Sequence, residues 1–133
     1  MGYRSTVAYT IRFVSEDDKV NRHAFYTFLA EAKAKDETAG CFTDDESFEV
    51  DEAKLEFRFF ADYVKWYESY PEVACHEALM YLSKEWADDD HEAIGGAFAR
   101  IGEEMEDTVE EVWGHGEYDW ISVSRSMNCD WMN

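Results

Sequence analysis

A chain of 133 residues fits one ordinary domain, and 46% hydrophobic residues with 22 aromatics (five Trp, eight Tyr, nine Phe) exclude a disordered acidic chain. The 31 acidic against 12 basic residues, a net charge of −19, argue against direct contact with nucleic acid or an anionic membrane. No stretch approaches ~18 consecutive apolar residues, which excludes a membrane-spanning helix.

The first element is "VAYTIRF", in which Val7, Tyr9, Ile11 and Phe13 alternate with Ala8, Thr10 and Arg12. That pattern predicts a half-buried strand. "SEDD" follows, with Ser15 as the expected N-cap, Asp18 as its capping-box partner, and acids in the first turn where the helix dipole favours them. Apolar residues at Val20, Ala24 and Phe28, and at Phe25, Leu29 and Ala32, predict a helix from about 16 to 35.

"DETAGCFTDDE" reads as a polar loop, followed by strands over 47–51 and 54–60. The alternation changes phase at Val64 and Trp66, so a bulge or turn is expected near 60–63. Whether "ADYVKWY" extends the strand or opens a helix stays open. Pro71, the only proline, suits a first helical turn. Cys75, Ala78, Leu79, Leu82 and Trp86 then form one apolar stripe. "ADDDHEAIGG" reads as a charged loop closed by glycines, with "GAFARIGEE" and "EYDWISVSRSM" as further strands. "DTVEEVW" between them is either a strand or one helical turn. The predicted fold is a single α+β domain over 1–133, with one antiparallel sheet and two helices on one face. It is a ferredoxin-like or related sandwich.

Charge is unevenly spread. Residues 1–84 hold 17 acids and 10 bases, whereas residues 85–119 hold 13 acids against Arg100 alone. The stretch "GEEMEDTVEEV" (102–111 and Val112) carries six of those acids. On a strand, alternate carboxylates would repeat every ~6.6 Å on one face and form a regular negative array. The plainer reading is a solvated loop, or an edge strand guarded by charge, although one or two charges would suffice for a guard. Candidate partner-binding acids are Asp88, Asp89, Asp90, Glu92, Glu103, Glu104, Glu106, Asp107, Glu110 and Glu111. The aromatic run "VKWYESYPEV" adds Trp66, Tyr67 and Tyr70, as a binding surface or as cover for the end of the sheet.

Other chemistry finds little support. "DDDHE" at 88–92 lacks calcium-loop spacing, Cys75 and His76 are adjacent rather than spaced for zinc, and there is no Cys-x-x-Cys pair. No metal and no cofactor is expected. The cysteines Cys41, Cys75 and Cys129, odd in number, suit buried free thiols in a reducing compartment. No local signature marks one of them as a nucleophile, or marks His23, His76, His91 or His115 as a base. Gly95-Gly96 and Gly114-x-Gly116 have neither the spacing nor the lysine of a phosphate loop. The expectation is a non-enzyme. "MGYRSTVAYT" shows no signal peptide and matches a myristoylation signal only weakly, so a cytoplasmic protein is expected.

The segments "GYRSTVAYTIRF", "VKWYESYPEV", "RIGEEMED" and "ISVSRS", in this order, resemble a family of small acidic proteins encoded by tailed bacteriophages. Those proteins open Gly-Tyr-Arg-Ser and share Lys-Trp-Tyr and Ile-Gly-Glu-Glu elements. The resemblance implies a phage accessory protein made in the host cytoplasm, and it assigns no functional residue. Charge and resemblance together predict a protein that binds and inhibits a basic host protein or nucleoprotein complex through an acidic, nucleic-acid-mimicking surface. An anti-CRISPR or anti-restriction protein would be one instance. The alternative is a structural or housekeeping phage module, with charge serving solubility and the aromatic cluster serving a homodimer.

Overall fold

The computed structural model describes the chain apart from residues 1, 44–45, 90–92, 105, 124–126 and 133; at 127, 128 and 132 it describes the backbone only. Strand β1 (Ser5–Phe13) lies at the centre of a five-stranded antiparallel sheet. Its neighbours are β3 (Glu56–Val64) on one side and β4 (Ile94–Ile101) on the other, with β2 (Phe48–Asp51) and β5 (Thr108–Gly114) at the edges. The order β2-β3-β1-β4 is that of the expected ferredoxin-like sandwich, and β5 extends it by one strand.

Helices α1 (Asp18–Ala34) and α3 (Pro71–Asp88) pack on one face. They bury Phe25, Phe28, Leu79, Leu82 and Trp86 against Val7, Tyr9, Ile11, Phe57 and Phe59 of the sheet. Ring contacts knit this layer: Phe25 stacks on Phe57 at 5.0 Å, and Phe28 meets Trp86 edge-on at 5.2 Å. A short helix α2 (Asp36–Ala39) and a 3₁₀ turn (Gly40–Phe42) follow α1 and lie against α3.

The opposite face departs from the expected single sheet. "EYDWISVSRSM" does not join it; β6 (Ile121–Val123) and β7 (Met127–Cys129) form a separate hairpin. Trp120, Ile121 and Cys129 pack on Ala8, Ala97 and Ala99, whose small side chains leave room for a second layer. Consequently β1 is buried on both faces, not one, and even Thr10 and Arg12 are enclosed.

Local expectations meet mixed outcomes. The cap of α1 is Asp17, not Ser15: its Oδ1 accepts from Lys19 N at 2.9 Å. Buried Asn21 decides this, because its side-chain amide engages both the N–H and the carbonyl of Ser15 at 2.8 Å, holding Ser15 outside the helix. The bulge falls where expected, with an extra β3 residue opposite Ser5–Val7 and Tyr63 at φ 57°. "ADYV" continues the strand and "DTVEEVW" is a strand too. Gly95 and Gly96 lie within β4, not in a loop, and a Cβ on Gly96 would fall 2.2 Å from the Trp113 ring.

Candidate functional site

Three segments singled out in the sequence, 2–13, 64–73 and 100–107, meet in space. Tyr3 lies at the junction. Its hydroxyl donates to Asp107 Oδ2 at 2.5 Å, and its backbone N–H donates to the Tyr67 hydroxyl oxygen at 2.6 Å. Arg100 grips the same Asp107 with both terminal nitrogens, at 3.1 and 2.8 Å. Arg4 N donates to Glu103 Oε1 at 2.9 Å. Gly102 makes the junction possible, since a Cβ there would lie 2.2 Å from Asp107 Oδ2 and 2.3 Å from the Tyr3 hydroxyl. The Arg100 bonds and then the Tyr3 bond hold the Asp107 carboxyl below its ordinary range, while the same carboxylate raises the Tyr3 phenol. Asp107 and Glu103 therefore fasten the N-terminal segment to the β4–β5 turn.

The remaining acids take other positions. The register places Glu111 opposite Phe98 on the helix-covered face, and Glu110 opposite Ala99 on the hairpin side. A one-faced file of carboxylates is thus not built, because adjacent strand residues point to opposite faces. Glu111 pairs with Lys84 Nζ of α3 at 2.6 Å, and that ammonium also sits 4.9 Å above the Trp113 ring. Glu104, Glu106 and Glu110 are exposed, with no ion pair among the described residues.

Asp88 ends α3 and Asp89 caps it, both exposed. The neighbouring Ala87 reaches the far end of β5, where a Cβ on Gly114 would be 3.2 Å from its Cβ. The acids are therefore strung along one edge. Glu103, Glu104 and Glu106 sit at the turn, Glu110 and Glu111 lie mid-strand, and Asp88 and Asp89 stand near the other end. The seven residues of β5 give this edge a length of about 20 Å. Asp90 and Glu92 lie outside the described residues.

The aromatic run behaves as cover for the end of the sheet. Trp66, Tyr67 and Tyr70 are all half-buried. Trp66 packs against the helix-side core and donates from Nε1 to Glu77 at 3.2 Å, while Tyr67 and Tyr70 meet edge-on at 5.2 Å. Burial raises the Glu77 carboxyl, and the Trp66 bond partly offsets that. Trp66 and Tyr70 also line, with Arg4, Lys65 and His76, a cavity of about 400 Å³.

All three cysteines are buried. Burial first, and then Asp130, push the Cys129 thiol up to about 11, which disfavours the thiolate at neutral pH. Among the described residues no helix is long and apolar enough to cross a membrane. Comparison with protein-family models, curated proteins and solved structures finds no match to this chain.

Proposed function

We propose that this chain is a non-catalytic binding protein whose acidic β5 edge engages a Lys/Arg-rich groove on a partner protein. A partner that uses such a groove for nucleic acid fits this chemistry best. Inhibition of a host defence or nucleic-acid-handling complex, of the anti-CRISPR or anti-restriction type, is the role that the phage resemblance suggests. The observation that carries this reading is that the acids stand where the fold does not need them. Asp88 and Asp89 sit at a helix C-terminus, where the dipole opposes a negative charge by roughly 0.3–1 kcal/mol. Glu104, Glu106 and Glu110 make no ion pair among the described residues. Stability does not account for such placement; an external partner does.

One feature favours a second reading. β5 is an edge strand, and charge on an edge prevents it from pairing with another chain. Under that reading the protein is a structural or housekeeping module whose acids serve solubility.

An affinity capture from bacterial lysate at about 0.1 M and 1 M salt separates the two, since the Debye length falls from about 10 to 3 Å between them. The identified partner is then titrated with the wild type and with the triple variant Glu104→Gln, Glu106→Gln, Glu110→Gln. Binding through the acidic edge predicts a basic partner, loss of affinity with salt, and at least a tenfold loss in the triple variant. A partner bound equally well at both salts and by both proteins would sink the proposal and leave the half-buried aromatic patch as the better surface.

A further inference from the structure

We propose that Cys41, Cys75 and His76 form a zinc(II) site between the 3₁₀ turn after α2 and the second turn of α3. Nothing in the sequence spacing announces it, because Cys41 lies far upstream and Cys75 and His76 are neighbours. Neighbouring residues on a helix point about 100° apart, so both are buried only because α3 is covered on two sides. The 3₁₀ turn covers the side with Cys75: a Cβ on Gly40 would sit 3.7 Å from Cys75 Sγ. Sheet aromatics cover the side with His76, with the rings of Phe59 at 4.5 Å and Phe48 at 5.3 Å. Where these two coverings meet, the ligand atoms of Cys41, Cys75 and His76 all lie within 4.8 Å of one another.

The chemistry of the donor set selects the ion. Two thiolates and an imidazole are the ligands of tetrahedral zinc, with Zn–S near 2.3 Å and Zn–N near 2.0–2.1 Å. Those lengths put ligand atoms about 3.4–3.8 Å apart, so a closure of roughly 1 Å or less would complete the geometry. As thiol, Cys75 donates to the Glu72 carbonyl at 3.3 Å. On binding, each cysteine would release its proton, and two thiolates would neutralise the dication in a site where an unpaired charge could not persist.

A supporting group is also in place. The Tyr9 hydroxyl lies 2.5 Å from His76 Nδ1, and Tyr9 is itself fully buried. In the proposed site this contact with Tyr9 would orient the His76 ring, as an outer-shell partner does for a ligating histidine. His76 also lines the cavity of about 400 Å³ that Trp66 and Tyr70 help to form. The inference is independent of the acidic-edge proposal, since no residue is shared.

The test is cobalt(II) and zinc(II) titration of the reduced full chain, read by absorption, by native mass spectrometry and by thermal melting. One ion per chain is expected, with a thiolate-to-cobalt charge-transfer band and the intense visible bands of tetrahedral cobalt. Zinc at 100-fold excess over its Kd should raise Tm by roughly 5–10 °C, reversed by chelator. Cys41→Ser and Cys75→Ser should each abolish the charge-transfer intensity of a two-thiolate site. Tyr9→Phe should weaken zinc binding roughly 10–100-fold. Should the buried cysteine variants fail to fold, X-ray absorption of the zinc-loaded wild type replaces them, with two sulfur neighbours near 2.3 Å expected. No bound ion, an ion without sulfur neighbours, or a reduced protein that only closes a Cys41–Cys75 disulfide on mild oxidation would overturn the proposal.

Discussion

Two acid-bearing regions of this protein handle their carboxylates in opposite ways. On the hairpin side of the sheet, carboxylates are gathered around two buried arginines. Arg58 contacts Glu49, Asp51 and Glu56, and Arg12 contacts Glu56 and Asp130 while lying 4.5 Å from the Trp120 ring and 5.8 Å from that of Trp131. Burial raises the Glu56 carboxyl, and the two arginines pull it back down. Along the β5 edge the acids outnumber the cations that reach them, and Arg100 and Lys84 engage only Asp107 and Glu111. The lesson is that acid count does not measure the field a partner meets. Carboxylates around a buried cation are part of the fold, whereas carboxylates without one project their charge outward.

The sharpest way to break this comparison is to remove a buried arginine. Arg58→Ala leaves Asp51 and Glu56 half-buried without their shared cation, and Arg12→Ala also removes the group between two tryptophans. Each should lose about 3 kcal/mol of stability in urea unfolding, against 3–5 kcal/mol for a fully buried pair, since Glu49 and Asp130 keep much of their hydration. A loss below about 0.5 kcal/mol would mean that these carboxylates are as free as those on β5.

If the β5 acids do not hold the strand, something else must, and Gly96 against Trp113 is the candidate. The Trp113 ring lies over the Gly96 backbone and donates from Nε1 to Ser83 of α3 at 2.8 Å. Gly96→Ala puts a methyl into that ring and should destabilise by roughly 1–3 kcal/mol, with the loss of order concentrated in β5 amide exchange. Unchanged exchange in β5 would show that the edge is held from elsewhere.

What could be read from the sequence follows from how local each cause is. Alternation in β1, Pro71 at the start of α3 and the phase change at Val64 are short-range signals, and they located their elements. The cap of α1 misled because Ser15 and Asp17 are both good caps, and the choice lay with Asn21, which pulls Ser15 aside. The hairpin was misassigned because "ISV" has strand character in any setting; only the alanines at 8, 97 and 99, distant in sequence, show which surface it covers. The acid run hid its own division. No spacing shows that Asp107 meets Tyr3 across the sheet while Glu106 meets nothing charged among the described residues. The Cys41–Cys75–His76 group was hidden for the same reason, since it is the packing of the 3₁₀ turn on α3 that brings Cys41 there.

Asp107 lies between the two regimes, half-buried at the edge and tied to Arg100 and Tyr3, and acid should separate it from its neighbours. Its folded-state pKa is depressed, so its contribution is fully present above the unfolded value near 3.9 and is lost as pH falls through the lower folded value. Asp51, held down chiefly by the Lys54 backbone N–H and also by Arg58, acts in the same direction. Asp107→Asn should therefore lower stability at pH 7 and flatten the decline below about pH 4, with little difference from wild type at pH 2. A variant whose acid limb runs parallel to that of wild type would place Asp107 with the unengaged acids.

The smallest change in stability should accompany a loss of binding. Asp88→Asn with Asp89→Asn removes two charges that the dipole of α3 disfavours, so the variant should be more stable by a few tenths of a kcal/mol to about 1. Binding to the captured partner should weaken and its salt dependence should become shallower, because fewer charges take part in the approach. Those opposite signs are what an acid kept for a partner predicts. If the acids served solubility alone, the double variant would gain the same stability, keep its partner affinity, and differ only in the concentration at which it precipitates near its shifted isoelectric point. The two regions of the molecule would then differ in where charge is stored, and not in what it is for.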